Sequence, residues 1–173
     1  AFATAPWNEL RRPSSTNSLD LAFEIITTST NPPPTNTVAQ KWLQIPDTST
    51  NGLDVRATDP KVLADDFLCT ATGPITQIRI WGSWLWDVLP PVPPFFSVGI
   101  WSDVPRQGTN YSRPGTLLCG NLFLPGQYEY FRYTTNGGNT EQFFDPNLPG
   151  IIGLDWNIWE YVFDWPTNTP CWQ

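Results

Sequence analysis

The sequence predicts an all-β protein, an antiparallel, jelly-roll-like β-sandwich of about nine or ten short strands. Nineteen prolines and twelve glycines are spread over 173 residues, which favours short strands joined by turns over helices. Apolar and polar residues alternate in several short stretches, whereas no amphipathic helical period persists for about three turns. The length suits a single domain with one sizeable core.

Ahead of the main domain, the sequence divides into three segments. Residues 1–18 are predicted to form an extended arm, and residues 19–28 a strand in which apolar and polar side chains alternate. Residues 29–37 contain three consecutive prolines, which predicts an extended and semi-rigid linker. The β-sandwich domain then covers residues 38–173.

A hairpin near the middle of the chain is predicted to form the centre of the sandwich. Its first strand covers residues 64–69, a Gly-Pro turn follows, and its second strand covers residues 75–87. Alternation along the second strand assigns its side chains to two faces. The face predicted to be buried carries Ile78, Ile80, Trp84 and Trp86, and the opposite face carries Gln77, Arg79, Trp81 and Ser83.

Further strands are predicted on both sides of this hairpin. Short strands within residues 38–46 and 53–57 precede it, and a Pro-rich loop at residues 89–94 follows it. The next strand has a core face made by Phe96, Val98 and Ile100, with Phe95, Ser97, Trp101 and Asp103 on the opposite face. Several short strands after residue 115 complete the domain.

Charge and composition exclude two classes of partner. The formal net charge is −7, and the nine basic residues are scattered, so neither nucleic acid nor an anionic membrane surface is an expected partner. No apolar run approaches the roughly 20 residues of a transmembrane helix. The sequence lacks methionine even at position 1, from which we expect an exported protein that is secreted or held at the cell surface.

Three cysteines are far apart in the sequence and form no metal-type pair. In an oxidising compartment, one disulfide and one free thiol is the simplest arrangement. We expect the disulfide to join Cys119 to Cys171, and Cys69 to be a free, buried thiol. The sequon that begins at Asn110 lies in a predicted loop.

Several phrases of the sequence match one type of domain. They include Lys41-Trp42-Leu43-Gln44, Gly52-Leu53-Asp54-Val55, Ile80-Trp81-Gly82-Ser83-Trp84, Ile100-Trp101-Ser102-Asp103 and Pro125-Gly126-Gln127-Tyr128. Over about residues 38–165, the chain resembles an uncharacterised domain of exported bacterial proteins, often of the planctomycete type, that carry a C-terminal sorting tag. The resemblance implies an exported, surface-associated β-sandwich, and it implies no activity.

Catalysis is not expected, because the sequence contains no histidine. Its absence excludes Ser-His-Asp and Cys-His arrangements and every metal site built on imidazole. A glycoside hydrolase that works with carboxylates alone is the remote alternative, with Asp65, Asp66, Glu160 and Asp164 as its candidate residues. Neighbouring residues of a strand point to opposite faces, so Asp65 and Asp66 would not share a cleft.

No cofactor is expected, and calcium is the one metal that the residue types allow. Oxygen-only sites need no histidine, and Asp65 and Asp66 near a predicted strand end are weak candidates for one. The more common role of such aspartates is a hydrogen bond to nearby backbone. No spacing in the sequence resembles an EF-hand loop.

The aromatic residues give the leading functional hypothesis, a non-catalytic module that attaches to a polysaccharide or another glycan surface. A flat indole can stack on the apolar C–H face of a sugar, while polar neighbours bind its hydroxyl groups. The candidate contact residues are Trp81, Trp101, Gln77, Arg79, Asp103, Trp84 and Trp86. Against this hypothesis, tryptophan in β proteins is usually part of the core or a partly buried scaffold residue.

The alternative is a structural protein that assembles with copies of itself into a filament, sheath or surface layer. An N-terminal strand on a long Pro-rich connection could be donated to the open sheet edge of a neighbouring copy. The apolar side chains of that strand are Leu19, Leu21, Phe23 and Ile25. Pairing within its own domain is the more common arrangement for such a strand.

Overall fold

The prediction of an all-β fold is confirmed by a computed structural model, which describes residues 7–13, 19–28, 38–69, 71–135 and 139–172. The predicted linker at residues 29–37 lies outside the described residues, as do parts of the predicted arm. The described part contains twelve strands and one short 3₁₀ turn. It contains no helix that is long and apolar enough to cross a membrane.

The strands are numbered β1 to β12 in chain order. They are β1 (Phe23–Thr28), β2 (Val38–Gln44), β3 (Leu53–Val55), β4 (Pro74–Ile75), β5 (Gln77–Gly82), β6 (Phe96–Val104), β7 (Arg113–Phe123), β8 (Glu129–Thr135), β9 (Glu141–Phe144), β10 (Ile151–Asp155), β11 (Asn157–Asp164) and β12 (Cys171–Trp172). The largest sheet has five strands in the order β2-β1-β5-β11-β8. A second sheet has the order β10-β9-β3, and the pairs β12-β4 and β6-β7 complete the fold. The strand pairs are antiparallel as predicted, except that β3 runs parallel to β9.

The hydrophobic core lies between the five-stranded sheet and the β6–β7 hairpin. Ile78 of β5 and Phe163 of β11 face Val98 and Ile100 of the hairpin, and all four are buried. Phe163 is fully buried, with its ring centroid 5.0 Å from that of Phe123. Burial of apolar surface contributes a free energy of roughly 25 cal/mol per Å² and is the main favourable contribution to folding.

The structure joins Cys119 of β7 to Cys171 of β12 in a disulfide, the pairing that the sequence predicted. Their Cα atoms are 5.7 Å apart, within the usual range of about 4.4–6.8 Å. The bond ties the end of the chain to the hairpin layer. Cys69 is free as predicted, but it is half-buried rather than buried. Its Sγ lies 3.4 Å from Nζ of Lys41 and 3.2 Å from the carbonyl oxygen of Ala71.

The N-terminal strand β1 occupies an internal position in the five-stranded sheet. It begins at Phe23, so Leu19 and Leu21 precede it, and it pairs with β2 on one side and β5 on the other. Ile25 is fully buried at this position. Within one chain, both edges of β1 are therefore already hydrogen-bonded.

Two predictions for the central hairpin were wrong. Residues 64–69 form no strand, and the side chain of Asp65 accepts the backbone N–H of Leu21 at 2.7 Å. The strand predicted over residues 75–87 ends at Gly82 and is followed by a 3₁₀ turn over Leu85–Asp87. The two-face alternation therefore stops at Gly82.

Candidate functional site

An aromatic patch lies on the face of the five-stranded sheet that points away from the core. Trp81 of β5 is opposite Glu160 of β11, which is in turn opposite Phe131 of β8, so these three side chains share one face. The ring of Tyr133 packs edge-on against Trp81, with a centroid distance of 5.7 Å. We name Trp81, Phe131 and Tyr133 the aromatic outer face.

Charged side chains follow the same face of the sheet. Nη1 of Arg79 lies 3.3 Å from Glu160, and its Nε lies 3.5 Å from Glu24 of β1. The Nε of Arg79 also donates to Gln77 at 2.9 Å. Glu160 is buried, and that burial raises its pKa, although the nearby Arg79 acts in the opposite direction. Gln77, Arg79 and Trp81 thus share one face, as the sequence predicted.

Trp101 and Asp103 lie on a different part of the molecule. They belong to β6 of the hairpin, whose inward side is formed by Val98 and Ile100. Trp7 of the N-terminal segment packs edge-on against Trp101, with a centroid distance of 6.2 Å. Because the two layers face each other across the core, Trp81 and Trp101 lie on opposite outer sides and form no common platform.

Trp84 and Trp86 also have separate environments. Trp84 packs against the core and donates its indole N–H to the hydroxyl of Tyr161 at 2.8 Å. It lines a cleft of about 140 Å³, together with Tyr130 and the prolines at residues 90–94. This proline cleft is smaller than the roughly 300–1,000 Å³ of most ligand pockets. Trp86 is 51% exposed on the 3₁₀ turn, where its backbone φ is 60°.

Three acidic side chains meet on the three-stranded sheet. Glu141 of β9 pairs directly with Asp155 of β10, while Asp54 comes from β3 on the other side of β9. Each residue offers a carboxylate oxygen, and these oxygens lie within 4.8 Å of one another. Asp155 is fully buried, Glu141 is buried and Asp54 is half-buried. We name these three residues the acid cluster.

Burial raises the pKa of Asp54 to about 7 and that of Asp155 to about 8. A neighbouring carboxylate adds to each shift, from Glu141 toward Asp54 and from Asp54 toward Asp155, whereas the hydroxyl of Ser83 lowers both pKa values. Carboxyl groups with strongly raised pKa values occur preferentially at functional sites. The acid cluster is therefore a candidate site on electrostatic grounds.

The loop at residues 83–87, which we name the Ser83 loop, is fixed against the acid cluster. The carboxylate of Asp87 accepts the backbone N–H groups of Trp156 and Asn157, at 3.1 and 2.9 Å, directly after Asp155. Leu85 and Trp86 lie over Gly153 of β10, where a Cβ would come within 2.4 Å of the leucine side chain. The position of Ser83 beside the cluster is thus held by hydrogen bonds and packing.

The predicted calcium and catalytic candidates have ordinary structural partners. Asp65 accepts the backbone N–H groups of Leu21 and Asp66, yet burial outweighs these bonds and raises its pKa to about 6. Asp66 is exposed and accepts a hydrogen bond from Ser112 at 3.0 Å. Asp164 accepts one from Gln77 at 2.8 Å.

No motif in the sequence indicates the acid cluster. Its members are 87 and 14 residues apart in the chain (54 to 141, and 141 to 155), so no local motif connects them. One signal was present: Asp54 and Asp155 each stand between apolar residues instead of in a turn. Strand alternation indicates that such an acid points to the face opposite its neighbours, but it does not identify the groups that lie on that face.

Comparisons with known proteins identify a family for this chain. A search of curated proteins found no match, and a search of solved structures found none either. The family model described as a domain of unknown function, DUF7901, matches residues 40–173, which include the whole acid cluster and aromatic outer face. The chain therefore belongs to the DUF7901 family of domains of unknown function.

Proposed function

We propose that this protein is a non-catalytic module that attaches to carbohydrate outside the cell through its aromatic outer face. The observation that carries the proposal is the exposure of that face: Phe131 is 47% exposed and Tyr133 is 43% exposed beside half-buried Trp81. Exposed aromatic clusters with a polar rim are typical of interaction sites. Phenyl and phenol rings present flat apolar surfaces that match the C–H face of a sugar ring.

The charges beside these rings supply the polar half of such a site. The guanidinium of Arg79, whose side chain is 37% exposed, donates hydrogen bonds to sugar hydroxyl groups, and the carboxylates of Glu24 and Glu160 hold it in place. Ligand sites commonly combine apolar surface with a few fixed polar groups of this kind. In this proposal Phe131 and Tyr133 contact the sugar, while Trp81 supports the ring of Tyr133 from the side.

An extracellular location is part of the proposal. The disulfide between Cys119 and Cys171 is a bond that persists in oxidising compartments and is rare in the cytosol. The resemblance to exported domains with sorting tags supports the same location. Attachment to a glycan, rather than a reaction, is the role proposed for the protein there.

A pair of adjacent residues gives a matched test of the aromatic outer face. Phe131 and Tyr130 are 47% and 46% exposed, but neighbouring strand residues point to opposite sides, and Tyr130 lines the proline cleft. We expect the protein to bind at least one of cellulose, chitin or xylan in pull-down assays. Phe131→Ala and Tyr133→Ala should each weaken binding about tenfold, about 1.4 kcal/mol, whereas Tyr130→Ala should leave it unchanged. Loss with Tyr130→Ala alone would move the site to the proline cleft and reject the aromatic outer face.

Assembly with copies of the same chain is the second candidate. The observation that favours it is the β6–β7 hairpin: Leu118 and Leu122 are 53% and 50% exposed, and neither strand pairs with a third among the described residues. Unpaired edges are templates for pairing with another chain. Because β1 is paired on both edges, donation of β1 would require its exchange between copies. Light scattering at rising protein concentration tests assembly, and Leu118→Lys should prevent it if the hairpin is the contact.

A further inference from the structure

The acid cluster lacks a positive partner from the protein at two of its three members. None of the ion pairs that the described residues form includes Asp54 or Asp155. Both carboxylate oxygens of Asp155 and Oδ2 of Asp54 are buried, and none of them has a hydrogen-bond partner by distance and angle. A buried carboxylate without a partner is costly, so each of these carboxylates must be neutralised by a proton or by a cation from solution.

The full burial of the Asp155 side chain supports the same conclusion. Asp155 is 0% exposed, and its carboxylate joins the cluster instead of reaching any backbone N–H among the described residues. Oγ of Ser83 is buried beside it, also without a hydrogen-bond partner by distance and angle, and comes from the separate Ser83 loop. Two unrelated parts of the chain therefore direct unused oxygen atoms to one place.

The oxygen atoms of the cluster are close enough to share one ion. One carboxylate oxygen from each of the three residues lies within 4.8 Å of the other two. Ca²⁺ binds oxygen at about 2.3–2.6 Å, so ligand atoms around one Ca²⁺ are at most about 5.2 Å apart. Mg²⁺ demands near-ideal octahedral geometry and usually keeps several waters, which makes it less suited than Ca²⁺ to a site built mainly from protein carboxylates.

The backbone around the cluster leaves room for its oxygen atoms. Gly52 is buried, and a Cβ there would lie 2.5 Å from Oε1 of Glu141 and 2.3 Å from the carbonyl oxygen of Asp47. Any larger residue would push Glu141 from its position. Glycine at this point therefore permits a close approach of the turn at residues 47–52 to the cluster.

We propose that Asp54, Glu141 and Asp155, with the hydroxyl of Ser83, form a binding site for a divalent cation of the calcium type. Three carboxylates supply up to six oxygen atoms, and the hydroxyl supplies one more, which reaches the six to eight ligands that Ca²⁺ prefers. The ion would join β3, β9 and β10 to the Ser83 loop. This site differs from the calcium candidates Asp65 and Asp66, and it is independent of the carbohydrate proposal.

The direct test is thermal unfolding of the whole protein in EDTA and in Ca²⁺. About 10 mM Ca²⁺ exceeds the dissociation constants of extracellular calcium modules, which are about 0.1–1 mM. At this concentration we expect Tm to rise by about 5–10 °C, with a smaller rise in Mg²⁺. Tb³⁺ bound at this site should emit when tryptophan is excited, since Trp84, Trp86 and Trp156 are neighbours of Ser83 and Asp155 in the chain. Native mass spectrometry should count one Ca²⁺ per chain.

Three variants decide where the ion binds. Asp155→Asn and Asp54→Asn should abolish the Tm rise and the Tb³⁺ emission, while Asp66→Asn should retain both. Asp155→Asn removes repulsion between carboxylates, so its Tm in EDTA should equal or exceed that of the unmodified protein, which shows that the variant folds. An unmodified protein without a Tm rise and without a bound ion would overturn the proposal. So would a response lost in Asp66→Asn and kept in Asp155→Asn.

Discussion

Two buried aspartates at the ends of neighbouring strands have opposite electrostatic environments. Asp145 follows β9 directly and is 2% exposed, and Asp155 ends β10 and is 0% exposed. Lys61 and Arg56 each place a nitrogen 3.2 Å from the carboxylate of Asp145. No ion pair of the described residues includes Asp155. Asp145 and Asp155 are therefore equally buried, but among the described residues only Asp145 has a counter-charge.

The pKa values follow this difference. The backbone N–H of Asn147 and the side chains of Lys61 and Arg56 hold the pKa of Asp145 below its usual value. Burial and the carboxylate of Asp54 raise the pKa of Asp155 to about 8. Asp145 thus connects residues 56–61 to the end of β9 through its two ion pairs. The charge of Asp155 must be neutralised by a proton or by a bound cation.

The largest expected effect is a pH dependence that comes mainly from the acid cluster, with a smaller contribution from Asp65, whose pKa is raised to about 6. In EDTA, the folded protein holds protons on Asp54 and Asp155 up to about pH 7 and pH 8, whereas the unfolded chain releases them near 3.8. Their contribution to stability is complete below the unfolded value and is lost as pH rises through the folded values. Urea unfolding should therefore show a free energy of unfolding that falls by several kcal/mol between about pH 4 and pH 8, since one pKa unit corresponds to about 1.4 kcal/mol.

The same experiment distinguishes the two aspartates. Asp145 has a lowered pKa, so its contribution is present above 3.8 and is lost only as pH falls below that value. In saturating Ca²⁺ the part of the decline that comes from the acid cluster should disappear, because the ion replaces the protons. A decline that is unchanged in Asp155→Asn would assign it to other groups.

The second expected effect is that two Asp→Asn substitutions change the free energy of unfolding in opposite directions. At about pH 8 in EDTA, Asp155→Asn should raise the free energy of unfolding by at least about 1.4 kcal/mol, the equivalent of one pKa unit, because the pKa of Asp155 is raised from 3.8 to about 8. Asp145→Asn should lower it, because Arg56 and Lys61 would then face a neutral amide. Urea titrations followed by tryptophan fluorescence measure both. Asp103→Asn, at an exposed position, is the control for a general charge effect.

A third test concerns the turn that approaches the acid cluster. Gly52→Ala places a Cβ 2.3 Å from the carbonyl oxygen of Asp47 and 2.5 Å from Glu141. The expected loss is about 1 kcal/mol, the lower end of the overpacking range, because Asp47 lies in an exposed turn that can shift. Gly82→Ala is the matched control, since a Cβ at Gly82 meets nothing within 4 Å. Equal losses in the two variants would mean that close approach at Gly52 is not required.

The sequence was sufficient for the parts of the fold that depend on local alternation. Ile78 faces the core and Arg79 the opposite side, because strand residues alternate whatever their partners are. It failed where the chain leaves a sheet. Trp86 and Asp87 adopt φ values of 60° and 57°, which no alternation rule anticipates for residues other than glycine.

The acid cluster was beyond prediction for a different reason. Asp54, Glu141 and Asp155 meet only because β3 joins β9 in parallel across a long stretch of chain. Likewise, Asp145 gains its cations from residues 56–61, far away in the sequence. Whether a buried acid is paired depends on tertiary contacts, and a single sequence does not contain the register that sets them.

The smallest expected effect concerns Glu160 on the outer face, which is intermediate between Asp145 and Asp155 in how far the chain neutralises its charge. Its burial raises its pKa while Arg79 acts against that rise, so it is neither fully paired like Asp145 nor left without a cation like Asp155. Arg79→Met retains the aliphatic stem and removes the charge, and it should cost less than about 1 kcal/mol, because the Arg79 side chain is 37% exposed. The cost should shrink as pH falls, since protonated Glu160 needs no partner. Arg132→Met, at an exposed position, should show no such pH dependence. If Arg79→Met costs the same at every pH, Arg79 contributes by packing and not by neutralising Glu160.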